Sequence, residues 1–282
     1  MKWFFALGRD SMAFDYYANM LQVAFYTAMK HNPCLEPVFL YDGEDDGNHL
    51  LKWLEGKPVT IINKRTAFYD EIKSASGIDN TPWAFSAATG AFLRVEIPAI
   101  MAERGWKDKF VLYTDCDVMF MKNCVDYFKK LKPEYFTVGP EFTKSNYTAM
   151  NTGVMIMNIE NLGKTLAGFM AHIRKNMDEF VNSSYDQAAY RSYYAGKYDR
   201  IPPEYNWKPY WGSLGKAAII HFHGPKPYQR HAMLNGLMPQ YFKVLGKIGY
   251  YKACLIWEKK LVEAFSDRID KKPFNKKSNI RI

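Results

Sequence analysis

The chain has 282 residues, 48% hydrophobic and 16% aromatic, enough for one large α/β domain or two small ones with a sizeable core, which excludes an intrinsically disordered protein. No apolar run approaches the roughly 20 residues of a membrane span, residues 3–7 are too short for the core of a secretory signal, and the four cysteines lack the paired spacing of a zinc site and read as reduced thiols of a cytoplasmic protein. The net charge of +9 is uneven: residues 241–282 hold eleven Lys and Arg against four Asp and Glu, so the basic character is a property of the C-terminal stretch, which fits either an anionic surface or plain solvation.

In chain order, a first strand is expected over 1–7, closed by Gly8. A polar turn at 8–11 then leads into a helix over 13–29 that His31-Asn32-Pro33 stops. Strands over 37–41 and 59–62 flank a short helix at 50–54. This alternation predicts a parallel, Rossmann-like sheet with a nucleotide in the crevice at its carboxyl edge. No G-x-G-x-x-G fingerprint appears, so a dinucleotide cofactor is not supported. Residues 64–82 read as a polar, irregular loop and 84–104 as one long helix, interrupted in apolar character by Arg94 and Glu96. A strand over 110–113 follows, then a helix near 126–131, a strand at 135–139, a loop over 140–150 and a very apolar strand at 154–157. Helical periodicity covers 162–180, a further helix opens at 184 with Ser184 as its cap, and a last buried strand runs over 217–222. There is no internal repeat. The one composition shift lies near Arg230, dividing a domain over 1–230 from a basic, aromatic helical extension over 231–282.

The chain is organised around 109–121, K-F-V-L-Y-T-D-C-D-V-M-F-M. An apolar run drives into Asp115-Cys116-Asp117 and a second apolar run follows. Side chains at i and i+2 of an extended chain point to one side. Two carboxylates held that close repel unless a cation lies between them. The pattern therefore reads as a divalent-metal site at a strand end, or else as a solvated acidic turn. Three of the six histidines fall within 221–231, and His221 also ends a predicted strand. It is the candidate third ligand, or a strand-end histidine bonded to backbone. Two carboxylates and an imidazole suit Mn²⁺ somewhat better than Mg²⁺, which prefers oxygen shells. Lys226 reads as a phosphate contact or a surface lysine, and Gly224 as a close approach to a ligand or a turn.

Taken together these residues resemble the glycogenin-like, family-eight glycosyltransferases of the GT-A fold. The strand–D-x-D is Tyr113-Thr114-Asp115-Cys116-Asp117, and the family's Asn-small-Gly-Val is Asn151-Thr152-Gly153-Val154. Its Asp-Gln at a helix start is Asp186-Gln187. Its His-Phe-x-Gly…Lys-Pro is His221-Phe222-His223-Gly224 with Lys226-Pro227, one residue shorter than is common in the family. An aromatic-x-Arg-Leu element is matched loosely by Phe92-Leu93-Arg94-Val95. The elements keep the family's order over residues 1–230. The resemblance implies a mixed, mostly parallel Rossmann-like sheet flanked by helices. It also implies a retaining, metal-dependent transfer of a hexose, glucose or galactose, from a UDP-sugar to a glycan or other hydroxyl acceptor. Asp115, Asp117 and His221 would hold Mn²⁺ or Mg²⁺, with Lys226 and Gly224 near the diphosphate. Asn151, Asp186 and Arg94 would fix sugar hydroxyls, and Gln187 would lie near the anomeric carbon. The family's Thr-Asp-x-Asn-Tyr is absent, and Asp15-Tyr16-Tyr17-Ala18 stands as its displaced counterpart with Tyr17 stacking on the base.

Two other functions fit part of the pattern. A metal-dependent phosphoanhydride hydrolase would use Asp115, Asp117, His221 and His223, but has no need of Asn-Thr-Gly or Asp-Gln. A non-catalytic binding module for a nucleotide sugar or nucleic acid would use the basic tail, yet no nucleic-acid motif is present. In the tail, apolar positions over 241–265 recur every three to four residues among lysines, so a helix would separate an aromatic face from a basic one. That pattern suits contact with an anionic membrane bearing a lipid-linked glycan, or packing of the aromatic face on the domain.

Overall fold

The computed structural model describes residues 1–10, 13–44, 46–76 and 82–266, without the side chains of 82–84 and 86. The first third alternates as predicted: β1 (Lys2–Gly8), α1 (Phe14–His31), β2 (Glu36–Asp42), α2 (His49–Leu54) and β3 (Thr60–Asn63). Then follow α3 (Tyr69–Ala75), α4 (Pro82–Phe92), a 3₁₀ turn (Leu93–Glu96), α5 (Ile97–Glu103), β4 (Phe110–Thr114) and β5 (Val118–Phe120). Next come α6 (Val125–Phe128), β6 (Thr137–Pro140), β7 (Met150–Asn151), β8 (Val154–Asn158), α7 (Ile159–Lys175), α8 (Met177–Val181) and α9 (Tyr185–Tyr193). The chain ends with β9 (Asp199–Arg200), β10 (Ile219–His221), α10 (Arg230–Leu234), α11 (Gln240–Lys243) and α12 (Ile248–Ser266).

The central sheet has the order β3-β2-β1-β4-β8. Its first four strands are parallel, and β8 runs antiparallel to β4, with Thr114 opposite Val154. Strand alternation explains the two cores. Phe4, Ala6, Val38, Leu40, Val111 and Tyr113 point to one face, with α4, α5 and α7 over them. Trp3, Phe5, Leu7, Phe39, Tyr41 and Leu112 point to the other, packed with Phe14, Ala18, Leu21 and Phe25 of α1. Burial on both faces is why these strands read as continuous apolar runs. The small antiparallel pair β5–β10, with His221 opposite Val118, carries the chain on from the D-x-D.

Three local expectations are corrected. Residues 64–82 contain the helix α3, whose Ile72 is buried against the first core, while 77–81 lie outside the described residues. The long helix over 84–104 is broken at Leu93–Glu96. Pro98 has no N–H to give the carbonyl of Arg94, which instead accepts from Ile97 three residues on. The helical stretch over 162–180 divides at Asn176, which caps the carbonyl of His172 with its side chain at 2.8 Å.

The C-terminal stretch also differs from the single amphipathic helix expected. Its apolar residues divide between two sides of α12. Tyr250, Ala253, Cys254 and Trp257 pack with Met20 and Val23 of α1, Trp207 and Phe222 in a third core. Ile248, Leu255, Val262 and Phe265 face outward, with Lys252 and Lys259 exposed beside them. Residues 267–282 lie outside the described residues. Among the described residues no helix is long and apolar enough to cross a membrane.

Candidate active site

The carboxyl ends of β1 and β4 open into a cavity of about 350 Å³. Asp115 and Asp117 stand on the turn between β4 and β5, anchored where Trp3 Nε1 donates to Thr114 Oγ1 at 2.9 Å. The second strand pair brings His221 across to them. Asp115 Oδ1 accepts from Arg94 Nη2 at 3.0 Å and from Tyr113 at 3.2 Å, which leaves Oδ2 facing His221 Nε2 at 3.6 Å. Asp117 Oδ2 accepts from Lys226 Nζ at 2.5 Å, leaving Oδ1 at 3.2 Å from His221 Nε2. One donor atom from each of the three lies within 4.8 Å of the others. Gly153 permits this closeness: a Cβ there would sit 2.2 Å from His221 Cε1 and 2.9 Å from Asp115 Oδ2.

The donor set fits a divalent cation. Asp117 Oδ1 is buried, and although His221 Nε2 is near, no hydrogen bond is aligned on it. Such an orphaned carboxylate oxygen is costly without a partner. Burial works to raise the Asp117 carboxyl, but Lys226 and His221 outweigh it and hold it well below the usual carboxylate range. His221 is pulled down by burial and by Lys208, so its imidazole is neutral and available as a ligand. Behind it, Asn206 Oδ1 lies 2.9 Å from Nδ1.

On the other side of Asp115 lies a buried ion pair. Arg94 Nε is 2.5 Å from Asp186 Oδ2, Nη2 donates to Asp186 Oδ1 at 3.3 Å, and Nη1 donates to Thr152 O at 2.7 Å. The guanidinium lies over the Tyr113 ring at 4.4 Å. The Arg94 contact to Asp186 Oδ2 is close but poorly angled, and that oxygen has no aligned hydrogen bond. Burial pushes the Asp186 carboxyl up to about 7, against the downward pull of Arg94. Asp186 and Gln187 lie in the first turn of α9, directly after its first residue, Tyr185, whose φ of +51° is strained for a tyrosine. Ser184 occupies the cap position but makes no side-chain cap. Its ψ of 35° is far from the extended backbone that aims a hydroxyl at the first turn.

Gln187 is held at both ends. Its Oε1 accepts from Asn151 Nδ2 at 3.0 Å and from Thr152 N at 3.1 Å, and its Nε2 donates to Glu141 Oε1 at 2.9 Å. Asn151 Oδ1 in turn accepts from Gly153 N, Asn206 Nδ2 and Lys208 Nζ, so this side chain is engaged by the protein itself. Glu141 also meets His223 Nε2 at 3.2 Å and Arg191 at 3.5 Å.

Arg94, Asp115, Asp117, Asn151, Asp186, Gln187, His221, Lys226 and Tyr17 therefore surround one cavity. Gly224 does not line it. Its φ of +87° makes it a turn glycine, and a Cβ there would meet Leu245 at 2.8 Å. Tyr17 lines the cavity with its ring 6.0 Å from Lys226 Nζ, while Tyr16 stacks on Tyr228 at 4.1 Å. The sequence reading missed Glu141, Asn206 and Lys208. Glu141 opens a loop, and Lys208 is a lysine among aromatics. Nothing in either pattern marks a buried polar side chain. The one available signal was the period-two spacing of Asn206 and Lys208 around the apolar Trp207.

No family model matches the sequence, and no curated protein is similar to it. Solved structures share its fold. The glycosyltransferase GlyE of Streptococcus pneumoniae TIGR4 aligns over 94% of this chain at 16% identity with a TM-score of 0.61, and this chain spans 63% of its length. The galactosyltransferase LgtC, solved with donor and acceptor sugar analogues, aligns over 87% of this chain and 100% of its own at 16% identity with a TM-score of 0.60. Mouse xyloside xylosyltransferase 1 aligns over 78% of this chain and 96% of its own at 13% identity with a TM-score of 0.50. The mixed, parallel-rich sheet flanked by helices is the GT-A arrangement of these glycosyltransferases.

Proposed function

We propose that the protein is a retaining glycosyltransferase that moves a hexose, glucose or galactose, from a UDP-sugar to a hydroxyl acceptor with help from a divalent metal. The observation that carries this reading is the charge of the cavity wall. Four carboxyl groups, Asp115, Asp117, Glu141 and Asp186, line it against two cations, Arg94 and Lys226, with Asp186, raised to about 7, carrying only part of its charge. A diphosphate is repelled from such a wall unless a cation joins Asp115, Asp117 and His221, whose free atoms converge. The similarity to LgtC, solved with donor and acceptor sugar analogues, supports a sugar donor and a sugar acceptor.

Asp115 Oδ2, Asp117 Oδ1 and His221 Nε2 would hold Mn²⁺, or Mg²⁺. When bound, the ion supplies positive charge for a departing UDP. Lys226, on the same wall, adds a second positive charge for the diphosphate. Tyr17 offers a ring for the uracil. Arg94 holds Asp115 and Asp186 in one frame, so that Asp186 presents an oxygen to a sugar hydroxyl. Gln187 is a poor nucleophile, and its amide is fixed by Thr152 N and Glu141. Transfer then proceeds on the front face: the acceptor oxygen bonds to the anomeric carbon as the bond to phosphate breaks, and the acceptor proton passes to the departing phosphate. Asn151 acts through Gln187 and not as a direct sugar contact.

The acceptor is a glycan, and a lipid-linked one at the inner face of a membrane would suit the outer side of α12. There Lys252 and Lys259 alternate with Leu255 and Val262, a pattern that fits anionic headgroups. Thermal shift against nucleotide sugars with Mn²⁺ tests the donor. Saturation at 100 times Kd adds about 2.7 kcal/mol of stability, so a selective rise with UDP-glucose or UDP-galactose is expected. No response to any UDP-sugar would sink the reading. NMR of the fresh product tests retention, with an inverted linkage as the contrary result.

A further inference from the structure

Behind the metal ligands, on the side away from the cavity, lies a fully buried lysine. The segment 206–208 runs beside β10, with Trp207 N donating to Ile219 O at 2.9 Å and His221 N to Trp207 O at 2.8 Å. Extended backbone alternates its side chains. Trp207 enters the third core, while Asn206 and Lys208 both turn toward His221. Lys208 is 0% exposed. Its Nζ donates to Asn206 Oδ1 at 2.7 Å and to Asn151 Oδ1 at 2.8 Å, and lies 3.1 Å from His221 Nδ1. Asn206 Oδ1 is also 2.9 Å from His221 Nδ1. Asn151 Nδ2 donates to Gln187 Oε1 at 3.0 Å. A continuous buried chain therefore runs His221, Asn206, Lys208, Asn151, Gln187.

We propose that Lys208 is a positioning residue that sets the metal end and the glycosidic end of the cavity in one frame. The inference rests on the glycosyltransferase reading above. A buried amino group is unfavourable unless acceptors surround it, and here the two asparagine oxygens do so. Each then has its amide orientation fixed, since Oδ1 must face the lysine. Asn206 so oriented offers an acceptor to His221 Nδ1, and a proton there leaves Nε2 to a metal beside Asp117. Asn151 so oriented turns Nδ2 to Gln187. Without that amino group Asn206 Oδ1 loses the donor that holds it toward His221, and Asn151 Oδ1 keeps only Gly153 N and Asn206 Nδ2. Groups that orient a metal-bound histidine are worth about 10- to 100-fold in metal affinity.

Mn²⁺ binding, read by electron paramagnetic resonance without nucleotide, tests this in the wild type and in Lys208→Met, with circular dichroism as the check on folding. The expected result is a folded variant whose Mn²⁺ affinity falls about 10- to 100-fold. In saturating metal its kcat for transfer falls while the KM for donor changes little. Lys208→Gln, which keeps a neutral donor, restores part of both. Wild-type Mn²⁺ binding and kcat in a folded Lys208→Met overturn the inference alone. No Mn²⁺ binding by the wild type overturns the metal reading and this inference with it. Should Lys208→Met fail to fold, Asn206→Ala cuts the same chain at the next link. There, loss of Mn²⁺ affinity supports the inference and unchanged affinity overturns it.

Discussion

Asp117 and Asp186 are both buried carboxylates on the wall of one cavity, yet they are driven in opposite directions. At Asp117 burial is outweighed by Lys226 and His221, and the carboxyl is held well below its usual range. At Asp186 burial wins over Arg94, and the carboxyl rises to about 7. The difference lies in the partners each has and where they point. Asp117 has Lys226 at 2.5 Å on Oδ2 and His221 on Oδ1. Asp186 shares a single guanidinium with Asp115 and lacks an aligned bond on Oδ2. One site keeps a permanent anion, as the proposed metal site requires. The other keeps a carboxyl poised near neutrality, as the proposed contact to sugar hydroxyls tolerates.

Removing the guanidinium breaks the comparison most severely. Arg94→Met leaves Asp186 buried with no cation, a change that costs roughly 3–5 kcal/mol when the remaining group stays charged. Asp186 escapes by taking a proton, so the loss should be largest at pH 8 and smaller at pH 5. Chemical denaturation at the two pH values checks this, and an equal loss at both would show that Asp186 does not carry the effect. Asp117→Asn acts on the other carboxylate. It should lower Mn²⁺ affinity and transfer by on the order of 10²-fold, with the fold retained. Asp186→Asn should leave Mn²⁺ affinity within about threefold, because Asp186 touches no metal ligand except through Arg94. Equal loss of metal in both variants would erase the distinction.

The two carboxylates also differ in how far the sequence revealed their setting. Asp115 and Asp117 stand two residues apart between apolar runs, and period-two alternation alone puts both on one side. His221 repeats the pattern at a second strand end. The alternating first third likewise shows in its apolar runs, because strands buried on both faces leave no polar interruption. The Arg94–Asp186 pair is different, being separated by 92 positions. Only the resemblance to a family brought the two together. The break in the helix that aims Arg94 came from Pro98, a residue whose effect four positions upstream was legible but passed over. Glu141 carried no signal, and Asn206 and Lys208 only their period-two spacing around Trp207, because a polar residue next to a turn or an aromatic is ordinarily exposed. Their burial follows from tertiary pairing, which no local pattern encodes.

Lys226 sharpens the comparison from the cation's side. Its charge is the largest single pull that holds Asp117 down, and it also donates to Phe222 O at 2.7 Å. Its backbone is fixed from the C-terminal stretch, where Tyr250 donates to Lys226 O at 2.9 Å. Lys226→Ala should weaken UDP binding by about tenfold, roughly 1.4 kcal/mol, while Mn²⁺ alone binds at least as well, since a competing cation has left Asp117. Calorimetry of each ligand separately decides this, and weaker Mn²⁺ binding in the variant would contradict it.

The last expectation concerns the pH profile of stability. Asp186 has a folded value of about 7 against an ordinary value of 3.8. Between these pH values the folded state binds more protons than the unfolded state, so unfolding free energy falls as pH rises. The stabilising proton is fully present below about pH 4 and is lost as pH rises through 7. Asp117 has the opposite sign: its contribution is present above the ordinary carboxylate range and is lost progressively as pH falls below it. Melting temperature of the wild type should therefore decline from pH 4.5 to 7.5 relative to Asp186→Asn, by a few degrees on the order expected for a large domain. Asp117→Asn should run parallel to the wild type through that window. A wild type and Asp186→Asn that stay parallel from pH 4.5 to 7.5 would mean that Arg94 wins over burial at Asp186 after all. Both carboxylates would then be permanent anions, differing only in whether their cation is lysine or arginine.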